Sequence, residues 1–330
     1  MRLLEGILAA ALAMGVAAQA EEVVFTEASP WSRNEELSRR SLSPLTSAAL
    51  FQGLAQAGKR MADQPIVPSQ EQFFLHVPPV MPSSGYGLLV FIGPWPQAKL
   101  PQGWAPVLDE LGVIYVSAAR SGNEELTMAR REPLALLAAG AVQKLYSVDP
   151  AHVFVGGFSG GSRVAERLAL AYPDLFHGAF LNAGSDRIGE GDLPLPPKDL
   201  FLRFQAESRL VFATGEEDSL NLGLEQDTLR SLEEFCMFGS VRQTIPWIGH
   251  KVAPAAALQA GLRQLLAPAP VDAARLDSCR SGLDHEVAAG LDQVRALKGR
   301  GESGEAKALL DKLDTRFGGL ASPESVELAK

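Results

Sequence analysis

From residue 88 to residue 266 the chain alternates short runs of consecutive apolar residues with longer stretches whose apolar positions recur every three or four. Strands are expected at 88–92, 113–118, 153–155, 180–182, 210–213 and 241–248; of these, 88–92, 153–155 and 210–213 are unbroken apolar runs of the kind that fill strands buried on both faces. A further strand is expected at 73–77, ended by Pro78 and Pro79. Helical spacing marks 106–111, 126–146, 162–172, 220–238 and 252–266. Strand and helix therefore alternate, and the expected fold is α/β: a mainly parallel sheet with helices on both faces. Residues 189–199, dense in Pro and Gly, read as an irregular lid or rim loop.

Outside this block the pattern changes. Residues 21–70 are polar and punctuated by proline, with one expected helix at 47–60 and no assigned chemistry. Beyond Pro268 and Pro270, Leu276, Cys279, Leu283, Val287, Leu291 and Val294 make one amphipathic stripe. Ala306, Leu309, Leu310, Leu313 and Phe317 make a second, closed by Gly318 and Gly319. A helical hairpin packed on the main domain is expected, a partner protein being the alternative use of its apolar faces. The divisions are 1–20 processing signal, 21–70 extension, 71–267 α/β domain and 268–330 hairpin.

The assignment of 1–20 rests on Arg2, the apolar run 7–18 and the small-x-small pattern Ala18-Gln19-Ala20, despite Glu5 within the leader. Cleavage after Ala20 and export to the periplasm or the medium are expected. The apolar run is short for a membrane span, and no cysteine follows it to carry lipid. After export, Cys236 and Cys279 would meet oxidising conditions, as a bridge or as two separate buried thiols. The formal charge of −9 argues against nucleic acid or an anionic membrane as the main partner. No metal site is expected from one distant pair of cysteines.

The candidate chemistry centres on residues 153–166, VFVGGFSGGSRVAE. An apolar strand runs into a helix through Gly157-Phe158-Ser159-Gly160-Gly161, which fits the GxSxG pattern of a sharp strand–turn–helix junction. There, small residues two before and two after the serine avoid collisions. Such a turn exposes the Ser159 hydroxyl at the carboxyl edge of the sheet and leaves the Gly160 N–H facing a developing oxyanion.

A serine needs a base, and the base needs an acid to orient it. Of five histidines, His250 follows the last expected strand at the correct edge. His76 precedes the core, His152 lies at the wrong end of its strand, His177 sits on a helix-to-strand connection, and His285 is in the hairpin. Asp218, in the turn Thr214-Gly215-Glu216-Glu217-Asp218, is the preferred acid, with Glu216, Glu217 and Asp186 as alternatives. The chain order Ser159, Asp218, His250 suits an α/β-hydrolase.

Residues 87–266 resemble the α/β-hydrolase superfamily. Within it, GFSGGSRVAERLALAYPDLFHGAFLNAG with the later TGEED and GH is similar to secreted esterases of the polyhydroxybutyrate depolymerase and feruloyl esterase type. The resemblance implies a cofactor-free serine esterase acting on small or oligomeric esters through an acyl-serine: Ser159 attacks, His250 moves the proton and Asp218 orients His250. Members commonly carry His-Gly where this chain has Ile92-Gly93, and the next residue, Pro94, has no N–H to give to the oxyanion. The Trp95 N–H is the expected replacement. Trp95 and Trp247 are also candidates for lining an acyl pocket, with core burial the alternative. Two other readings stand beside hydrolysis: acyl transfer to an alcohol or amine, and a degenerate hydrolase kept as an exported binding protein.

Overall fold

A computed structural model describes residues 19–190, 193–268 and 272–330, so all but the end of the expected processing signal lies outside the described residues. The chain opens with β1 (Gln19–Val24), α1 (Asn34–Ser41) and α2 (Pro44–Gln56). Ser43 caps α2 by accepting the Thr46 N–H, and Pro44 occupies the first turn, where its missing N–H costs nothing. The central part runs β2 (Gln72–Val77), β3 (Tyr86–Ile92), α3 (Ala105–Leu111), β4 (Val113–Ala118), α4 (Glu132–Leu145), β5 (Val148–Phe158), α5 (Gly160–Ala171) and β6 (Gly178–Asn182). It continues with α6 (Lys198–Glu207), β7 (Arg209–Gly215), α7 (Ser219–Glu234), β8 (Ser240–Ile245) and α8 (Ala255–Leu266). Three helices close the chain: α9 (Ala273–Gly299), α10 (Ser303–Phe317) and α11 (Glu324–Leu328).

All eight strands form one sheet in the order β1-β2-β4-β3-β5-β6-β7-β8, parallel from β4 through β8 and antiparallel at β1 and β2. This is the mainly parallel sheet expected from the sequence. Alternate side chains of β3 divide the core: Leu88, Val90 and Ile92 join one buried cluster with α4 and α5, while Leu89 and Phe91 join the other with α3 and α8. The inner parallel strands are covered on both sides, which explains their apolar character, whereas the edge strand β8, SVRQTI, is only partly buried.

Three features differ from the sequence pattern. β1 pairs with β2 from Gln19↔Val77 to Val24↔Gln72, so the amino-terminal segment supplies an edge strand. Cleavage after Ala20 would leave residues 21–24 of it. Within the expected rim loop, α6 begins at Lys198 and buries Leu200, Phe201 and Phe204. β8 ends at Ile245, short of the expected 248, because Trp247 takes a left-handed backbone (φ 58°) that no strand accommodates.

The carboxy-terminal helices share the main core. Leu276, Leu283, Val287, Leu291 and Val294 of α9 and Leu310, Leu313 and Phe317 of α10 belong to the cluster built on α4 and α5. A disulfide joins Cys236, just after α7, to Cys279 in α9. Arg280 adds hydrogen bonds to Gln205 and to the Leu202 carbonyl of α6. Among the described residues no helix is long and apolar enough to cross a membrane.

Candidate active site

β5 ends at Phe158 and α5 starts at Gly160, which forces Ser159 into a conformation of φ 56°, ψ −123°. A non-glycine residue held there is strained, and the surrounding backbone shows what holds it. The Ser159 N–H donates to the Asn182 carbonyl at the end of β6 (2.9 Å), and the Ser162 hydroxyl donates to the Gly184 carbonyl (2.6 Å). Glycine is required around the turn: a Cβ on Gly157 would lie 2.2 Å from the Gly161 carbonyl oxygen, and one on Gly161 would lie 1.9 Å from that of Ile92.

His250 arrives on the loop after β8. A Cβ on Gly215 would lie 2.2 Å from the Ile248 oxygen, so a glycine at the end of β7 lets that loop pass. Buried Asn182 accepts the Ala253 N–H (2.7 Å) and buried Trp104 donates to the Ala253 carbonyl (2.9 Å), fixing the chain three residues past His250. The imidazole also packs against Phe158, ring centroids 4.9 Å apart. Its Nε2 lies 2.9 Å from Ser159 Oγ and its Nδ1 lies 2.6 Å from Asp218 Oδ2. The tautomer that suits both contacts donates from Nδ1 and accepts the serine proton at Nε2.

Asp218 is buried at the start of α7, which it caps. Burial pushes its carboxyl up, but hydrogen bonds from His250 and Asn221 outweigh that and hold it below the usual carboxylate range. The Asn221 amide donates to both carboxylate oxygens, at 2.9 and 2.8 Å.

The other candidates are engaged elsewhere. Glu216 accepts the Trp247 N–H, Glu217 is exposed, and Asp186 pairs with Arg163. His76 contacts Asp109 (2.8 Å) and His152 contacts Asp149 (3.0 Å). His177 carries its backbone into the β5–β7 region, and His285 is exposed on α9. Gly160 is the first residue of α5, directly after Ser159, and Trp95 follows Pro94 in the loop after β3. The Trp95 ring folds back over Gly93 and lies 6.2 Å from Phe158, with Lys99 Nζ 4.2 Å from its centroid. Trp247 is 85 % exposed, so it is not buried in the core.

A cavity of about 710 Å³ runs along α5 from Gly160, walled by Asn123, Arg131, Arg163 and Arg167. Arg163 and Arg167 are ion-paired there with Asp186 and Glu132. No group of three or more metal-ligating side chains occurs among the described residues.

Beneath this wall lies Glu166, fully buried, with Oε2 accepting the Asp186 N–H (2.7 Å) and Oε1 unpartnered. Burial above all pushes its carboxyl well above the usual range, against the pull of the Asp186 N–H, Arg163 and Arg167. A raised pKa means that the unfolded chain loses this proton first as pH rises, so stability falls from the ordinary glutamate pKa up to the folded one. Glu166→Gln keeps the acceptor and removes the titration. Scanning calorimetry should find its melting temperature close to that of the parent near pH 4 and higher than the parent's toward neutral pH.

No protein-family model matches the chain, and no curated protein matches it. Among solved structures, an S-formylglutathione hydrolase of Staphylococcus aureus is 10% identical with a TM-score of 0.49, over 76% of this chain and 100% of that one. A ferulic acid esterase is 13% identical with a TM-score of 0.46, over 76% and 97%. A candidate dipeptidyl aminopeptidase IV of Bacteroides ovatus is 16% identical with a TM-score of 0.42, over 59% of this chain and only 33% of that one. At identities this low and TM-scores below one half, none of these transfers an activity to this chain.

Proposed function

We propose that this chain is a serine hydrolase that cleaves carboxylic esters through an acyl-serine intermediate. The observation that carries the reading is the continuous chain Ser159 Oγ, His250, Asp218, Asn221, seated on a strained strand–turn–helix junction. In this reading Ser159 Oγ attacks the ester carbonyl while His250 Nε2 takes its proton, and Asp218 stabilises the imidazolium that forms. The oxyanion is held by the Gly160 N–H, which gains from the aligned dipole of α5, and by the Trp95 N–H in place of the one Pro94 lacks. His250 then protonates the departing alcohol and activates the water that releases the acid.

Export is part of the same proposal, supported by the Cys236–Cys279 bridge, since structural disulfides persist in oxidising compartments. Purified protein should hydrolyse short p-nitrophenyl esters with saturation kinetics. With an alcohol present, free acid should dominate over new ester; the reverse would make the protein an acyltransferase. A folded protein that turns over no ester would return it to the binding-protein reading, which Pro94 favours.

A further inference from the structure

We propose that the side-chain amide of Asn123 is a catalytic residue that donates a hydrogen bond to the oxyanion, a side-chain donor in addition to the backbone N–H groups of Gly160 and Trp95. The inference rests on the serine-hydrolase reading of Ser159.

The loop after β4 is laid against the loop after β3 and tied to it at several points. The Asn123 N–H donates to the Pro94 carbonyl (3.0 Å) and the Arg120 N–H to the Pro96 carbonyl (2.6 Å). The buried Arg131 guanidinium bonds the Ser121 carbonyl (3.0 Å) and the Gly93 carbonyl (3.3 Å), joining both loops through one side chain. A Cβ on Gly122 would lie 2.8 Å from the Trp95 carbonyl carbon, so the contact admits only glycine there. Proline in the first loop thus removes one donor, while its carbonyl fixes the backbone of Asn123.

What that places against Gly160, the residue after the nucleophile, is a carboxamide. A Cβ built on Gly160 would meet Asn123 Oδ1 at 2.3 Å and Nδ2 at 3.0 Å, so the amide occupies the space that a side chain after Ser159 would fill. Glycine at 160 is what admits Asn123. The Asn123 side chain makes no hydrogen bond to the protein among the described residues. Its terminal torsion is broad and roughly two-fold, so turning the amide to present Nδ2 breaks no protein contact. The donor is not needed elsewhere in the fold.

The test compares kcat and KM for p-nitrophenyl butyrate in the parent, Asn123→Ala, Asn123→Asp and Gly160→Ala, with melting temperatures alongside. Removing an oxyanion donor should lower kcat by about 10²-fold and leave KM within about threefold, because the interaction forms in the transition state. Asn123→Asp preserves shape without a donor and should fall at least as far. Gly160→Ala keeps the backbone N–H at 160 but displaces the amide, and should lose rate in the same way. An active parent with Asn123→Ala or Asn123→Asp near parental kcat, or with the loss entirely in KM, overturns the assignment and leaves the hydrolase reading intact. A folded but inactive parent overturns both.

Discussion

His250→Ala is expected to lower kcat for ester hydrolysis by about 10⁵- to 10⁶-fold, the loss found when a serine is deprived of its base and the remaining groups cannot act alone. In the proposed mechanism the imidazole accepts the Ser159 proton and returns it to the leaving alcohol, so its removal would disable acylation and deacylation together. Its side chain is 44% exposed and contacts Ser159, Asp218 and Phe158, none of which depends on it for the position of its backbone. The variant should therefore fold and melt like the parent. A residual rate above the uncatalysed reaction should survive through the oxyanion donors. Single-turnover assays that find His250→Ala within about tenfold of the parent would remove the imidazole from the mechanism.

Cys236→Ala with Cys279→Ala is expected to cost about 4 kcal/mol of stability, the chain-entropy effect of opening a loop that spans 43 residues. The bridge joins the end of α7 to α9, and α9 and α10 complete the cluster that also contains Phe235, Leu232 and Phe201. Loosening α9 therefore exposes part of the main core. Asp218 lies at the opposite end of α7 from Cys236, so esterase activity in the cold should change little. Urea unfolding of the double variant, and of the parent with reductant, should show the same shift in midpoint. No shift in either would mean that packing of α9 alone holds the hairpin.

Much of the sheet was legible because parallel strands buried on both faces leave unbroken apolar runs, as at residues 88–92 and 210–213. β1 was not legible: QAEEVV is an antiparallel edge strand whose glutamates face solvent, and only its pairing with β2 identifies it. α6 left a readable trace in Leu200, Phe201 and Phe204 at helical spacing, hidden by the prolines just before it. Ser159 and His250 could be placed by their positions at strand ends. Asn221 had a signal in the helix-capping pattern, since Asp218 accepts the N–H three residues on. Asn182 and Trp104 had none, because their partners lie 71 and 149 residues away in sequence. The packing of Asn123 against Gly160 likewise depends on two loops meeting in space.

The central claim is that Ser159 is an activated nucleophile. Peptide mass spectrometry after treatment of the purified protein with a fluorophosphonate tests it without knowledge of the substrate. The expected result is one covalent adduct per chain, on the peptide that contains Ser159, absent in Ser159→Ala and strongly reduced in His250→Ala. A protein shown to be folded by circular dichroism that takes up no probe, or takes it up elsewhere and equally in Ser159→Ala, would contradict the claim.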